Sequence, residues 1–109
     1  MSRDPTNDSE VVVVTGASAG VGRATARAFA ERGACVGLLA RGEAGLEGAR
    51  RDVEDAGGEA LTVQTDVADA DAVEAAADAV EAEFGTIDVW VNNAMASVFS
   101  PVDEMEADE

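Results

Sequence analysis

The stretch TGASAGVG, residues 15–22, follows four consecutive valines at residues 11–14. A β-branched apolar run of that length reads as a strand buried on both faces. From about residue 21 to 32 the chain reads as a helix, with Val21, Ala24, Ala28 and Phe29 expected on its inward stripe and Gly33 placed to end it. Gly16, Gly20 and Gly22 therefore occupy a turn between a strand and a helix. Small residues are needed there because the chain must turn sharply and because a pyrophosphate has to come close to backbone N–H groups. The helix N-terminus adds partial positive charge, and Gly22 lets the helix pack closely on the sheet. The spacing is GxxxGxG rather than the commoner GxGxxG, and three glycines in seven residues also suit a plain flexible turn. Its place at the head of three consecutive strand–helix units favours dinucleotide binding.

Working outward, residues 34–40 (ACVGLLA) form a second apolar run. A helix is expected over about 43–56, where Leu46, Ala49, Val53 and Ala56 recur at three- and four-residue steps, and the Gly57-Gly58 pair stops it. Residues 59–65 alternate apolar and polar as a third strand would. Asp69 can cap the next helix, which carries Val73, Ala76, Ala77, Val80 and Phe84 on one face and ends at Gly85. Residues 87–91 read as a fourth strand, and Asn92-Asn93 breaks away from it. The pattern β-α-β-α-β-α-β with short connections means an α/β fold with a parallel sheet and right-handed crossovers. Residues 1–10 read as a polar tail, 11–96 as one nucleotide-binding unit, and 97–109 as the acidic start of an interrupted helix that Pro101 can open.

With these elements in order, TGASAGVG resembles the cofactor motif of the short-chain dehydrogenase/reductase family. Gly33-Ala34 and Arg41 bracket the second strand, Asp66-Val67 closes the third, and Asn92-Asn93-Ala94 closes the fourth as in the family's NNAG motif. The resemblance runs from Val11 to about Met105 and implies a Rossmann-like parallel sheet of order 3-2-1-4, truncated after its fourth strand. It implies that Ser18 reaches the adenosine ribose or its phosphate, and that the backbone around Gly16, Gly20, Val21 and Gly22 holds the pyrophosphate. Asp66 would accept from the adenine amino group, Val67 would touch the ring, and Asn93 and Ala94 would lie beside the nicotinamide-side ribose, with Asn92 bracing the sheet. Alone, Asp66 and the asparagines would read as ordinary turn residues. NAD-preferring sites place a carboxylate at the end of the second strand, but here Ala40 occupies that place and Arg41 follows, whose guanidinium suits a 2′-phosphate. The expected cofactor is NADP(H), with NAD(H) the lesser alternative. Glu43 is a competing partner for Arg41, and a solvent-facing arginine is the plain reading.

The chain departs from the family in two places. Met95 stands where NNAG has glycine, either lining the nicotinamide pocket or pointing into substrate space. The family's catalytic Ser, its YxxxK pair and the helix Asn of its proton relay fall in a second half, and this chain has no Tyr, Lys or His. The Tyr is the general acid or base of the reaction. The expectation is the N-terminal part of an NADP(H)-dependent oxidoreductase, inactive alone, with no catalytic residue and no metal ligand assigned. A non-catalytic dinucleotide-binding module and a non-functional remnant are the alternatives. The fourth strand would be an unpaired apolar edge carrying Trp90, suited to a complementary C-terminal segment or to self-association.

Twenty-three acids against seven arginines give a net charge of −16. Such a surface repels nucleic acid and anionic membranes. The polar N-terminus and the short apolar runs fit neither a signal peptide nor a membrane span, so a cytoplasmic location is expected. The single cysteine, Cys35, excludes an internal disulfide and lies in an apolar run as a core residue. Acids on every expected helix and in both tails read as adaptation to a salty cytoplasm, where ions screen the mutual repulsion. Unfolding followed from low to molar KCl is expected to show rising stability; equal stability throughout would contradict this reading.

Overall fold

The four-valine run lies at the centre of a sheet. The structure is a computed structural model, and it describes residues 9–93. The elements are β1 (Val11–Thr15), α1 (Gly20–Ala30), β2 (Cys35–Ala40), α2 (Glu43–Asp55), β3 (Glu59–Gln64), α3 (Ala70–Phe84) and β4 (Val89–Val91). All pairings are parallel and the strand order is β3-β2-β1-β4, as expected. Ala94, Met95 and the helix expected after Pro101 lie outside the described residues.

Successive β1 side chains serve opposite faces. Val12 and Val14 join Val36 and Leu38 beneath Ala26 and Ala30 of α1 and Leu46, Ala49 and Val53 of α2. Val11 and Val13 join Cys35 and Leu39 beneath Ala76, Val80 and Phe84 of α3. β1 and β2 are buried throughout, which is why their sequences are continuously apolar. Each valine or leucine so buried contributes about 1.5–3 kcal/mol of transfer free energy, so these two strands supply much of the core. Among the described residues no helix is long and apolar enough to cross a membrane.

Three local features differ from the sequence reading. The inward face of α1 is Gly22, Ala26 and Ala30, whereas Val21 is 71% exposed and Ala24 and Ala28 face solvent. The helix packs so close to the sheet that its contact face carries its smallest side chains, not its most apolar ones. β3 does not alternate between buried and exposed, because as an edge strand it is half-covered on both faces. β4 begins at Val89 rather than residue 87, because Asp88 closes this end of the pairing. Its N–H donates to the Val11 carbonyl (2.8 Å), and its carboxylate accepts from the Val11 N–H (2.9 Å).

The helix boundaries follow the expected signals. Asp69 Oδ1 accepts from the N–H groups of Asp71 (3.0 Å) and Ala72 (3.2 Å) and so caps α3. Gly33, Gly57 and Gly85 follow the three helices with φ of 81°, 105° and 103°, a backbone that side chains disfavour.

Two predictions follow from the packing. A Cβ on Gly37 would lie 2.5 Å from a methyl of the fully buried Val80. Gly37→Ala is therefore expected to destabilise by about 1–3 kcal/mol, and in urea unfolding the Gly37→Ala/Val80→Ala pair should lose less than the sum of the singles. Between α1 and α2, Arg23 Nε donates to Asp52 Oδ2 at 2.6 Å, and this hydrogen bond chiefly holds the Asp52 carboxyl below its ordinary range. An acid that titrates lower in the folded than in the unfolded chain stabilises the fold above the ordinary carboxylate range, and that contribution vanishes as pH falls through the folded-state value. Asp52→Asn should therefore lower the urea midpoint at pH 7, with the gap narrowing as pH falls below the ordinary carboxylate range.

Candidate dinucleotide site

Because every strand runs the same way, the residues after each strand converge on one edge of the sheet. They are the glycine turn after β1, Arg41 after β2, Asp66 and Val67 after β3, and Asn92 and Asn93 after β4. The strand order reverses direction between β1 and β4, and it is at such a point that open parallel sheets leave a crevice.

The turn itself is built from close approaches. Gly16 and Gly20 adopt φ of 66° and 59°, left-handed conformations that glycine allows without strain. A Cβ on Gly22 would stand 2.2 Å from the Gly16 carbonyl oxygen and 2.8 Å from Asn93 Nδ2. No larger residue fits without moving the helix, and Asn93 from the end of β4 is thereby brought against the turn. Ala17 N–H donates to the Leu39 carbonyl (3.2 Å), which fixes the turn to the end of β2.

The electrostatics of this helix end differ from those of the other two. Ala19 caps α1 in an extended conformation with no side-chain hydrogen bond, and no acid lies in the first turn. By contrast α2 carries Glu43 and α3 carries Asp71 in the first turn, with Asp69 capping α3. The first N–H groups of a helix have no intrahelical partner, so this end of α1 can receive an anion in a chain that is otherwise strongly acidic. Val21 and Val67 are two of the three large apolar residues exposed among the described residues, the third being Trp90.

The other predicted site residues take defined places. Ser18 lies against α2, where a Cβ on Gly45 would come within 2.7 Å of its Cβ. Asp66 closes a turn: its Oδ1 accepts from Ala68 N–H (3.0 Å) and its carbonyl from Asp69 N–H (2.9 Å). That role occupies one carboxylate oxygen. Thr15 Oγ1 donates to Asn92 Oδ1 (3.1 Å), tying β1 to the end of β4.

Arg41 is exposed, and its carbonyl accepts from Gln64 Nε2 (3.0 Å). Among the described residues each of the other arginines has an acidic partner. Arg23 pairs with Asp52, Arg27 with Glu31 and Arg32 with Glu10; Arg50 pairs with Glu47 and Glu54, and Arg51 with Glu47. Glu43 does not pair with Arg41. The bonds of Gln64 and Asp88 were not legible in the sequence, since both reach backbone groups distant along the chain, 23 and 77 positions away. The described residues contain no cluster of acids and cysteines placed to hold a metal ion.

Comparison with known proteins gives the same assignment as the geometry. The family model for short chain dehydrogenase matches residues 10–109. The cis-4-hydroxycyclohexanecarboxylate dehydrogenase of Sinomonas cyclohexanicum is 47% identical over 97 residues, covering 88% of this chain and 39% of that protein. L-sorbose reductase from Gluconobacter frateurii, solved with NADPH and L-sorbose, superposes with a TM-score of 0.73 at 41% identity over 78% of this chain and 33% of that one. An NAD+-bound xylitol dehydrogenase superposes with a TM-score of 0.71 at 38% identity, over 74% of this chain and 31% of that one. The chain thus spans about two fifths of the length of the curated relative and a third of the solved ones. With the ordered motifs, the 3-2-1-4 parallel sheet and a family match over nearly its whole length, this chain belongs to the short chain dehydrogenase family.

Proposed function

We propose that this chain is the NADP(H)-binding part of a short-chain oxidoreductase that interconverts an alcohol and a carbonyl compound. The observation that carries the cofactor preference is Arg41, the one arginine among the described residues without an acidic partner, placed where β2 meets the site edge. A guanidinium not already neutralised is available to a 2′-phosphate, and Ala40 beside it offers no carboxylate to hold ribose hydroxyls. Solved relatives divide between NADPH and NAD+, so the preference rests on this position rather than on the family.

In this reading the N–H groups around Gly20, Val21 and Gly22 receive the pyrophosphate and Ser18 faces the adenosine ribose or its phosphate. Asp66, through the oxygen its turn leaves over, accepts from the adenine amino group, and the exposed Val67 covers the ring. Asn93 flanks the nicotinamide-side ribose, a role that the family resemblance also implies for Ala94. The nicotinamide, when bound, supplies or accepts the hydride. Proton transfer to the substrate oxygen falls in this reading to the Tyr that the family resemblance implies, a residue type not found in these 109 residues. In this reading a complementary segment that adds to the sheet beside β4 brings it. The same composition favours a second reading, a dinucleotide-binding module without chemistry, which a hydride-transfer assay with that segment supplied would separate from the first.

Fluorescence titration of the 109-residue chain is expected to show tighter binding of NADPH than of NADH. Arg41→Ala should weaken NADPH by about 10- to 100-fold, the worth of a hydrogen bond to a charged group, and leave NADH nearly unchanged. Tighter binding of NADH by the unsubstituted chain would refute the preference, and binding of neither would refute the site.

A further inference from the structure

Arg41 lies between two fixed points. Behind it, Thr65 N–H donates to the Ala40 carbonyl at 2.8 Å, the last backbone rung between β2 and β3. Ahead of it, Gly42 caps α2 and its carbonyl accepts from Leu46 N–H at 3.0 Å. Gly42 meets nothing within 4 Å where a Cβ would be and has no side chain to restrain it. Among the described residues no carboxylate pairs with the Arg41 guanidinium, so its direction is inherited from its backbone. One further group restrains that backbone: Gln64 Nε2–H donates to the Arg41 carbonyl at 3.0 Å. Gln64 is the register partner of Ala40, so its side chain crosses the edge of the sheet and adds a rung one residue beyond the backbone ladder.

We infer that Gln64 is a positioning residue for cofactor selectivity, holding the Arg41 backbone so that the guanidinium is presented to the 2′-phosphate of NADP(H). The inference rests on the NADP(H) reading above. Gln64 and Arg41 are both exposed and the bond is neutral, so its contribution is small, but it is directed at one cofactor only. A glutamine acting merely in the stability of the β3 edge would affect both cofactors alike.

The test is a double-mutant cycle on the 109-residue chain with Gln64→Met, which keeps the side-chain length and removes the donor, and Arg41→Ala, each titrated with NADPH and NADH. Gln64→Met is expected to weaken NADPH by about 2- to 4-fold, the low end of the worth of a neutral hydrogen bond, with NADH unchanged. In the Arg41→Ala background the same substitution should have no effect on NADPH. Equal weakening of both cofactors, no change for either, or an undiminished effect without Arg41 would overturn the role of Gln64 while leaving the NADP(H) reading intact. If Arg41→Ala itself leaves the ratio of the two affinities unchanged, the NADP(H) reading falls and takes this inference with it.

Discussion

The missing side chain at Gly22 is the constraint on which the rest of the structure depends. With a Cβ only 2.2 Å from the Gly16 carbonyl, α1 could not start where it does. Its first turn would be pushed away from the end of β1, and its unpaired N–H groups would leave the sheet edge where the other strands deliver their residues. The same close approach decides which face of α1 is buried. A helix seated this near a sheet has room for Gly22, Ala26 and Ala30 but not for Val21, which turns outward to the edge where Val67 is also exposed. Gly37 plays the matching part on the other face, where its bare α-carbon lets Val80 of α3 reach the sheet.

A chain of net charge −16 has to manage its few cations. Most are spent on neighbouring acids: Arg50 alone bridges Glu47 and Glu54, and Arg23 links α1 to α2 through Asp52. Exposed pairs of this kind contribute little individually and are screened by salt. By contrast, the α1 N-terminus has no acid in its first turn, and Arg41 at the same edge is the one arginine among the described residues without an acidic partner.

Much of this was legible along the chain because it is written in local pattern. The valine run, the periodicity of Leu46, Ala49 and Val53, the Asp69 cap and the terminating glycines each act through neighbours a few residues away. The 3-2-1-4 order followed from the family resemblance and the rules for parallel crossovers. What escaped were effects that depend on distance in space. The buried face of α1 departs from its apolar pattern because hydrophobicity predicts burial only where there is volume to fill. β4 starts later than its apolar run because a carboxylate, Asp88, takes the place of a ladder partner for Val11.

That alternating strands and helices form a parallel sheet, and that a glycine turn follows its first strand, can be read along the chain, because both depend on short-range sterics and on the periodicity of apolar residues. The same pattern places Arg41, Asp66 and Asn93 each just beyond the end of a strand. It took the folded sheet to bring these strand ends to one edge, to set Asn93 against Gly22, to let Gln64 fasten the carbonyl of Arg41, and to leave that guanidinium without an acidic partner among the described residues. Those outcomes turn on approaches of a few ångströms between residues far apart in the chain, and such distances exist only once the sheet has closed.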